Sequence, residues 1–165
     1  GSGLMVDGTG MLLNNQMDDF SIKPGVPNIY GLIGASANAI APGKRMLSSI
    51  TPTFVEGPRG YMIVGSPGGS LITGMVLLAT LDWMDGKTAQ QIVAAPRIHH
   101  QYQPDVLTYE AAALTPEEKV ELARRGHELR ERETWGNLQV ITWDAATNTV
   151  SAASDPRGVG TAGLY

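Results

Sequence analysis

Apolar and polar positions along the chain change rhythm several times, and each rhythm predicts an element. Thr51 to Glu56 and Gly60 to Val64 are rich in β-branched and aromatic residues, and the short linker Gly57-Pro58-Arg59 makes them a hairpin. Leu71 to Trp83 is apolar almost throughout, which predicts a helix buried in a core, and Thr88 to Ala95 predicts a second helix stopped by Pro96. Leu107-Thr108-Tyr109 reads as a strand. After it, Thr115 can cap a helix, Pro116 suits its first position, Glu118 completes a capping box and Gly126 sits where a terminating glycine belongs. Glu121 and Arg125 lie four apart on that helix. Leu138 to Trp143 and Thr149 to Ala153 predict a closing hairpin around Asp144 to Asn148.

The first third of the chain reads differently. Met11 to Asn14 predicts a short strand that runs into the polar cluster Asn14-Asn15-Gln16-Met17-Asp18-Asp19-Phe20, and prolines and glycines up to Gly43 then predict a long irregular excursion. Hairpins interleaved with helices point to a layered α/β or α+β arrangement, an antiparallel sheet covered by helices. With 165 residues, 42% of them hydrophobic, a single domain spanning 1–165 is expected.

Charge and cysteine usage narrow the function. Twelve basic against sixteen acidic residues, with no basic cluster denser than that around Arg124 and Arg125, argue against a nucleic-acid partner. The absence of cysteine removes disulfides, thiolate nucleophiles and the common zinc patterns. His99-His100 is too small a ligand set to predict a metal, since neighbours on a strand point apart and His127 is the only other histidine. No segment reads as a membrane span or a signal peptide. Gly158-Val159-Gly160-Thr161-Ala162-Gly163 matches a dinucleotide fingerprint, but no helix follows to receive a pyrophosphate.

Two stretches carry chemistry. Gly65-Ser66-Pro67-Gly68-Gly69-Ser70 joins a strand to a helix, and glycine amides at such a turn can approach and hold a negative oxygen, so Gly68 and Gly69 are candidate oxyanion donors. A structural turn is the alternative reading of the same residues. Ser66 or Ser70 as a nucleophile needs a histidine base delivered from elsewhere. The cluster at Asn14 to Asp19 can clamp an ammonium group with one carboxylate and one amide acceptor, or form a solvated turn. The hydroxyls of Ser48 and Ser49 can donate to a carboxylate or to the backbone.

In this order, Leu12 to Phe20, Pro42 to Pro52 and Gly65 to Ser70, followed by Ala95-Pro96-Arg97-Ile98-His99-His100-Gln101 and Ala153-Ser154-Asp155-Pro156-Arg157, resemble the small subunit of γ-glutamyltransferases. The resemblance implies an N-terminal-nucleophile hydrolase fold, a four-layer αββα sandwich, and a precursor that cleaves itself into large and small subunits. It implies that Gln16 and Asp19 hold the α-amino group of a γ-glutamyl moiety, that Ser48 and Ser49 bind its α-carboxylate, and that Gly68 and Gly69 stabilise the tetrahedral oxyanion. No cofactor is implied. Glutathione and other γ-glutamyl compounds are the implied substrates, and for bacterial members a periplasmic or extracellular location.

The family's nucleophilic threonine opens its small subunit, in a segment that this chain does not contain, and Thr9 lies in another context. The chain alone is therefore expected to be inactive, needing the large subunit and the missing N-terminal segment. A sister amidohydrolase, such as a cephalosporin-type acylase or a poly-γ-glutamate depolymerase, and a non-catalytic γ-glutamyl-binding module are the alternatives.

Overall fold

Burial alternates strictly along Gly60–Gly65: Met62 and Val64 turn inward while Tyr61 and Ile63 stay exposed, the period expected of a strand with one face in a core. This computed structural model describes residues 2–163, which divide into two compact units, Gly1–Ser48 and Ser49–Tyr165.

The first unit holds β1 (Met5–Val6) and β2 (Met11–Leu12), a small antiparallel hairpin in which Met5 pairs with Leu12. Two single-turn 3-10 helices follow, Gln16–Asp19 and Ser36–Asn38. The rest is turns. Asn28 Oδ1 accepts from the amides of Tyr30 and Leu32, both at 3.0 Å, and isolated bridges join Ser21 to Ala39 and Pro27 to Ile33. The long irregular excursion predicted after Phe20 is therefore ordered by backbone turn bonds and side chain to backbone bonds rather than by ladders, as expected where Asn, Gly and Pro dominate.

The second unit contains β3 (Thr53–Gly57), β4 (Gly60–Gly65), α1 (Leu71–Met84), α2 (Ala89–Ala94), β5 (Ile98–His99), β6 (Leu107–Tyr109), α3 (Pro116–Arg124), β7 (Leu129–Glu131), β8 (Gln139–Asp144) and β9 (Thr149–Ser154). Its main sheet is antiparallel in the order β3-β4-β8-β9. The two predicted hairpins pair here side by side, Met62 facing Thr142 across β4 and β8. One face of the sheet, with Met62, Val64, Val140 and Ala153, packs with Ile72, Met75, Val76, Ala79 and Trp83 of α1 and Ile92 and Val93 of α2 into one core. Its other face carries Phe54, Tyr61, Ile63, Ile141 and Val150, all exposed.

The predicted capping box forms, Thr115 with Glu118 opening α3, Pro116 leading and Gly126 following at φ 95°, and a second one, Thr88 with Gln91, opens α2. Glu121 pairs with Arg125 at 2.7 Å and with Arg124 at 2.7 Å. A second sheet, β5-β6-β7, escaped the sequence reading in part. Its strands β5 and β7 are two and three residues long, too short for a period to register, and β6 pairs β7 in parallel across the α3 crossover.

Candidate active site

The strand β4 ends at Gly65 and α1 begins at Leu71, so the chain must reverse within five residues. Gly68 (φ 140°) and Gly69 (φ 57°) make the reversal, in backbone regions that side chains seldom adopt. A Cβ on Gly68 would also lie 3.1 Å from Met75 Cε, a tight contact that the end of the Met75 side chain would have to relieve by shifting. The carbonyls of Gly68 and Gly69 accept from the amides of Leu71 and Ile72, each at 3.1 Å, which opens the helix. Among the described residues, neither the Gly68 nor the Gly69 amide donates to an acceptor. Two adjacent N–H groups at a helix head with their hydrogen-bonding capacity unspent are what an oxyanion site requires.

This loop is tied to the core. Ser66 Oγ donates to the Pro67 carbonyl at 2.9 Å and accepts from the Asn137 amide at 3.4 Å. The segment around Asn137 is in turn fixed by four buried or nearly buried charges. The Leu138 amide donates to Asp155 Oδ2 at 2.8 Å, the Trp135 amide to Glu110 Oε1 at 3.2 Å, and Arg97 Nη1 donates to the Trp135 carbonyl. Arg97 also pairs with Asp155, and Arg157 bridges Glu110 at 2.5 Å and Asp155 at 3.1 Å. Remaining guanidinium protons of Arg157 go to the carbonyls of Val93 and Ala95, both at 3.0 Å. Every charge thus has partners on all sides, the condition under which buried ions are tolerated. Burial pushes the Asp155 carboxyl up, but the amides of Leu138 and Arg157 and the Arg97 guanidinium outweigh it and hold its pKa below the usual carboxylate value. Burial likewise works against the Arg157 guanidinium, yet Glu110 and Asp155 hold its pKa above the ordinary arginine value.

The residues expected to clamp an amino group sit in a local turn of the first unit. Asn14 Oδ1 accepts from the Gln16 amide at 3.1 Å and starts the 3-10 turn, within which the Asp18 amide donates to the Asn15 carbonyl at 3.0 Å. The Gln16 side chain is exposed and the Asp19 side chain half-buried, and among the described residues neither is engaged in a hydrogen bond or ion pair. Asn38, which sequence reasoning passed over, organises this unit. Its Nδ2 donates to the Asp19 carbonyl at 2.7 Å and its Oδ1 accepts from the Leu47 amide at 3.1 Å, so one side chain links the Gln16–Asp19 turn to the residue before Ser48. An asparagine inside a short Ser-Ala-Asn turn was the available signal.

Gln16, Asp19 and Ser48 belong to the first unit; Ser49, Gly68 and Gly69 belong to the second. The hydroxyl of Thr9 is used inside the β1-β2 turn, donating to the Val6 carbonyl at 2.8 Å and accepting from the Met11 amide at 3.1 Å. Ser66, weighed as a nucleophile, spends its hydroxyl on the loop. No group of three or more His, Asp or Glu able to hold a metal occurs among the described residues.

The family model for gamma-glutamyltranspeptidase matches residues 1–165. The chain is 43% identical over 161 residues to a glutathione hydrolase proenzyme of Escherichia coli, covering 96% of this chain and 27% of that protein. It is 44% identical over 166 residues to the glutathione hydrolase proenzyme of Pseudomonas aeruginosa, covering 97% of this chain and 29% of that protein. Its fold superimposes on a crystal structure of an acivicin-inhibited gamma-glutamyltranspeptidase with a TM-score of 0.88 at 40% identity, over 97% of this chain and 87% of that one. It therefore spans less than a third of the length of these curated relatives, and its mixed α/β fold is that of the solved gamma-glutamyltranspeptidase. With sequence match along its whole length and a fold to correspond, the chain belongs to the gamma-glutamyltranspeptidase family.

Proposed function

We propose that this chain is the C-terminal part of the small subunit of a γ-glutamyltransferase or glutathione hydrolase, supplying the glutamate clamp and the oxyanion hole. The observation that carries the reading is the Gly68-Gly69 turn, whose two amides are directed to no acceptor among the described residues. A threonine hydroxyl from an accompanying segment attacks the γ-carbonyl. Its proton passes to the threonine's own α-amino group, and the carbonyl oxygen takes the negative charge that the Gly68 and Gly69 N–H groups receive. Collapse expels the amine, which leaves with that proton, and a γ-glutamyl ester forms. Water or an acceptor amine then attacks the ester to release glutamate or a new γ-glutamyl amide.

Asp19 meets the charge of the substrate's α-ammonium, Gln16 Oε1 accepts a hydrogen bond from it, and the Ser48 and Ser49 hydroxyls donate to its α-carboxylate. No cofactor enters. The partners are the large subunit of the same precursor and the segment bearing the threonine. Support for a partner chain comes from the exposed apolar sheet face at Phe54, Ile63 and Ile141, which needs cover. The compartment follows the family resemblance, periplasmic or extracellular; among the described residues no helix is long and apolar enough to cross a membrane.

The test is hydrolysis of a chromogenic γ-glutamyl anilide by this chain alone and with its complementary chain. Activity only in the complemented sample is expected. Activity of the isolated chain removes the need for the threonine segment, and none in either sample favours a non-catalytic binding module.

A further inference from the structure

Two consecutive glycines at positive φ leave a loop without Cβ atoms to restrain it, so the direction of their amides has to be fixed from its ends. Ser66 fixes one end. At the other, Ser70 occupies the N-cap position of α1, where a serine hydroxyl ordinarily accepts from a helix amide, yet it makes no such bond. It donates instead to Gln101 Oε1 at 2.9 Å, and His99 Nε2 meets the same oxygen at 2.9 Å. Gln101 Nε2 donates to the Gln103 carbonyl at 2.8 Å, which sets the orientation of the amide. His99 is itself anchored on β5, its carbonyl accepting from Thr108 Oγ1 at 3.1 Å, and its ring lies close against α1 at Gly74.

Chemistry decides what this cluster does. A carbonyl oxygen only accepts, so Ser70 and His99 both act as donors to Gln101, and the histidine holds its proton on Nε2. A histidine donating at that nitrogen does not take a proton from Ser70 there. The serine-histidine pairing left open by the sequence is therefore a brace and not a nucleophile with its base.

We propose that Gln101 is a positioning residue, which holds Ser70 away from capping α1 and so aims the Gly68 and Gly69 amides at the developing oxyanion. The inference rests on the oxyanion reading of the loop. Because the brace acts on the reacting geometry and not on the glutamate head, its loss lowers kcat and spares KM.

In the assembled enzyme, Gln101→Ala and Ser70→Ala are each expected to lower kcat on the γ-glutamyl anilide by about 10- to 100-fold, with KM changed by less than about twofold. The double variant should be no worse than the more damaging single one, because both remove the same brace. Ser70→Thr, which keeps the hydroxyl, should restore most of kcat. Unchanged kcat in Ser70→Ala, additive losses, or a loss confined to KM would overturn the proposal, and Ser70→Ala decides it even if Gln101→Ala fails to fold. A wild-type enzyme that turns over while the variants lose nothing refutes the brace alone. An assembled wild type that does not turn over refutes the oxyanion reading and the brace with it.

Discussion

On the proposed reading, the two units present polar groups to a ligand by opposite means. The second unit presents backbone amides, and it holds them through a core of Met62, Met75, Leu138 and Val140 and through the Arg97, Glu110, Asp155 and Arg157 cluster behind the loop. The first unit presents side chains on short turns, and only Phe20 and Ser21 of its described residues are buried. A backbone donor has no torsions of its own beyond φ and ψ, so it is only as well placed as the core beneath it. A side-chain clamp is placed by local bonds, and it remains adjustable. Damage to the second unit's core or glycine turn should therefore register as lost folding or lost kcat, and damage to the side-chain clamp, mostly in the first unit, as raised KM.

The hardest test of that contrast is Asp155→Ala. Removing this 1%-exposed carboxylate strands Arg97 and the Leu138 amide, and the expected loss is about 3–5 kcal/mol, read by denaturant unfolding. Retention of full stability would mean that the cluster is ornamental to the core. Acid reports on the same group. Its native pKa lies below the unfolded value of about 4, so its contribution to stability is complete above that pH and is withdrawn as the pH falls through the depressed native value. Asp155→Asn should flatten that part of the acid unfolding curve.

In the first unit, Asp19→Ala in the assembled enzyme should raise KM by about 10- to 100-fold, the loss of a charge-assisted partner, with little change in melting temperature. An unchanged KM refutes the clamp. Asn38→Ala, which unties the Asp19 carbonyl from the Leu47 amide, should raise KM by a smaller factor and speed hydrogen exchange at Leu47. If it instead unfolds the whole chain cooperatively, the first unit is not locally organised. Smallest is Thr115→Ala, which removes one arm of a capping box and should cost about 1 kcal/mol without touching kcat or KM. It shows what a purely local bond is worth in the unit that is otherwise held by its core.

Much was legible from residues alone. β-Branched and aromatic content around a short linker predicted β3 and β4, because that composition suits a pleated strand wherever its faces end up. Thr115-Pro116 with Glu118 predicted the start of α3, because a capping box is satisfied by residues three apart and needs no distant partner. Gly68 and Gly69 were singled out for their backbone freedom, and both take positive φ. The strands of two or three residues, β5 and β7, were not legible, because their pairing comes from long-range ladders and not from a pattern of their own. Nor was the role of Arg97, Gln101 or Asn38. Each acts on a group at least nine positions away: Arg97 on Trp135, Ser70 on Gln101, Asn38 on Leu47.

By itself, then, the sequence determined what neighbouring residues settle among themselves: the cap of α3, the hairpins, the glycine turn and, through motifs in order, the family. Tertiary structure alone decided which charges meet in the core, which partners the Thr9, Ser66 and Ser70 hydroxyls find, and which unit holds each candidate residue. The physical reason is one of range. Backbone propensity and capping act within a turn, whereas hydrogen bonds and ion pairs between distant segments exist only once the chain has closed around them.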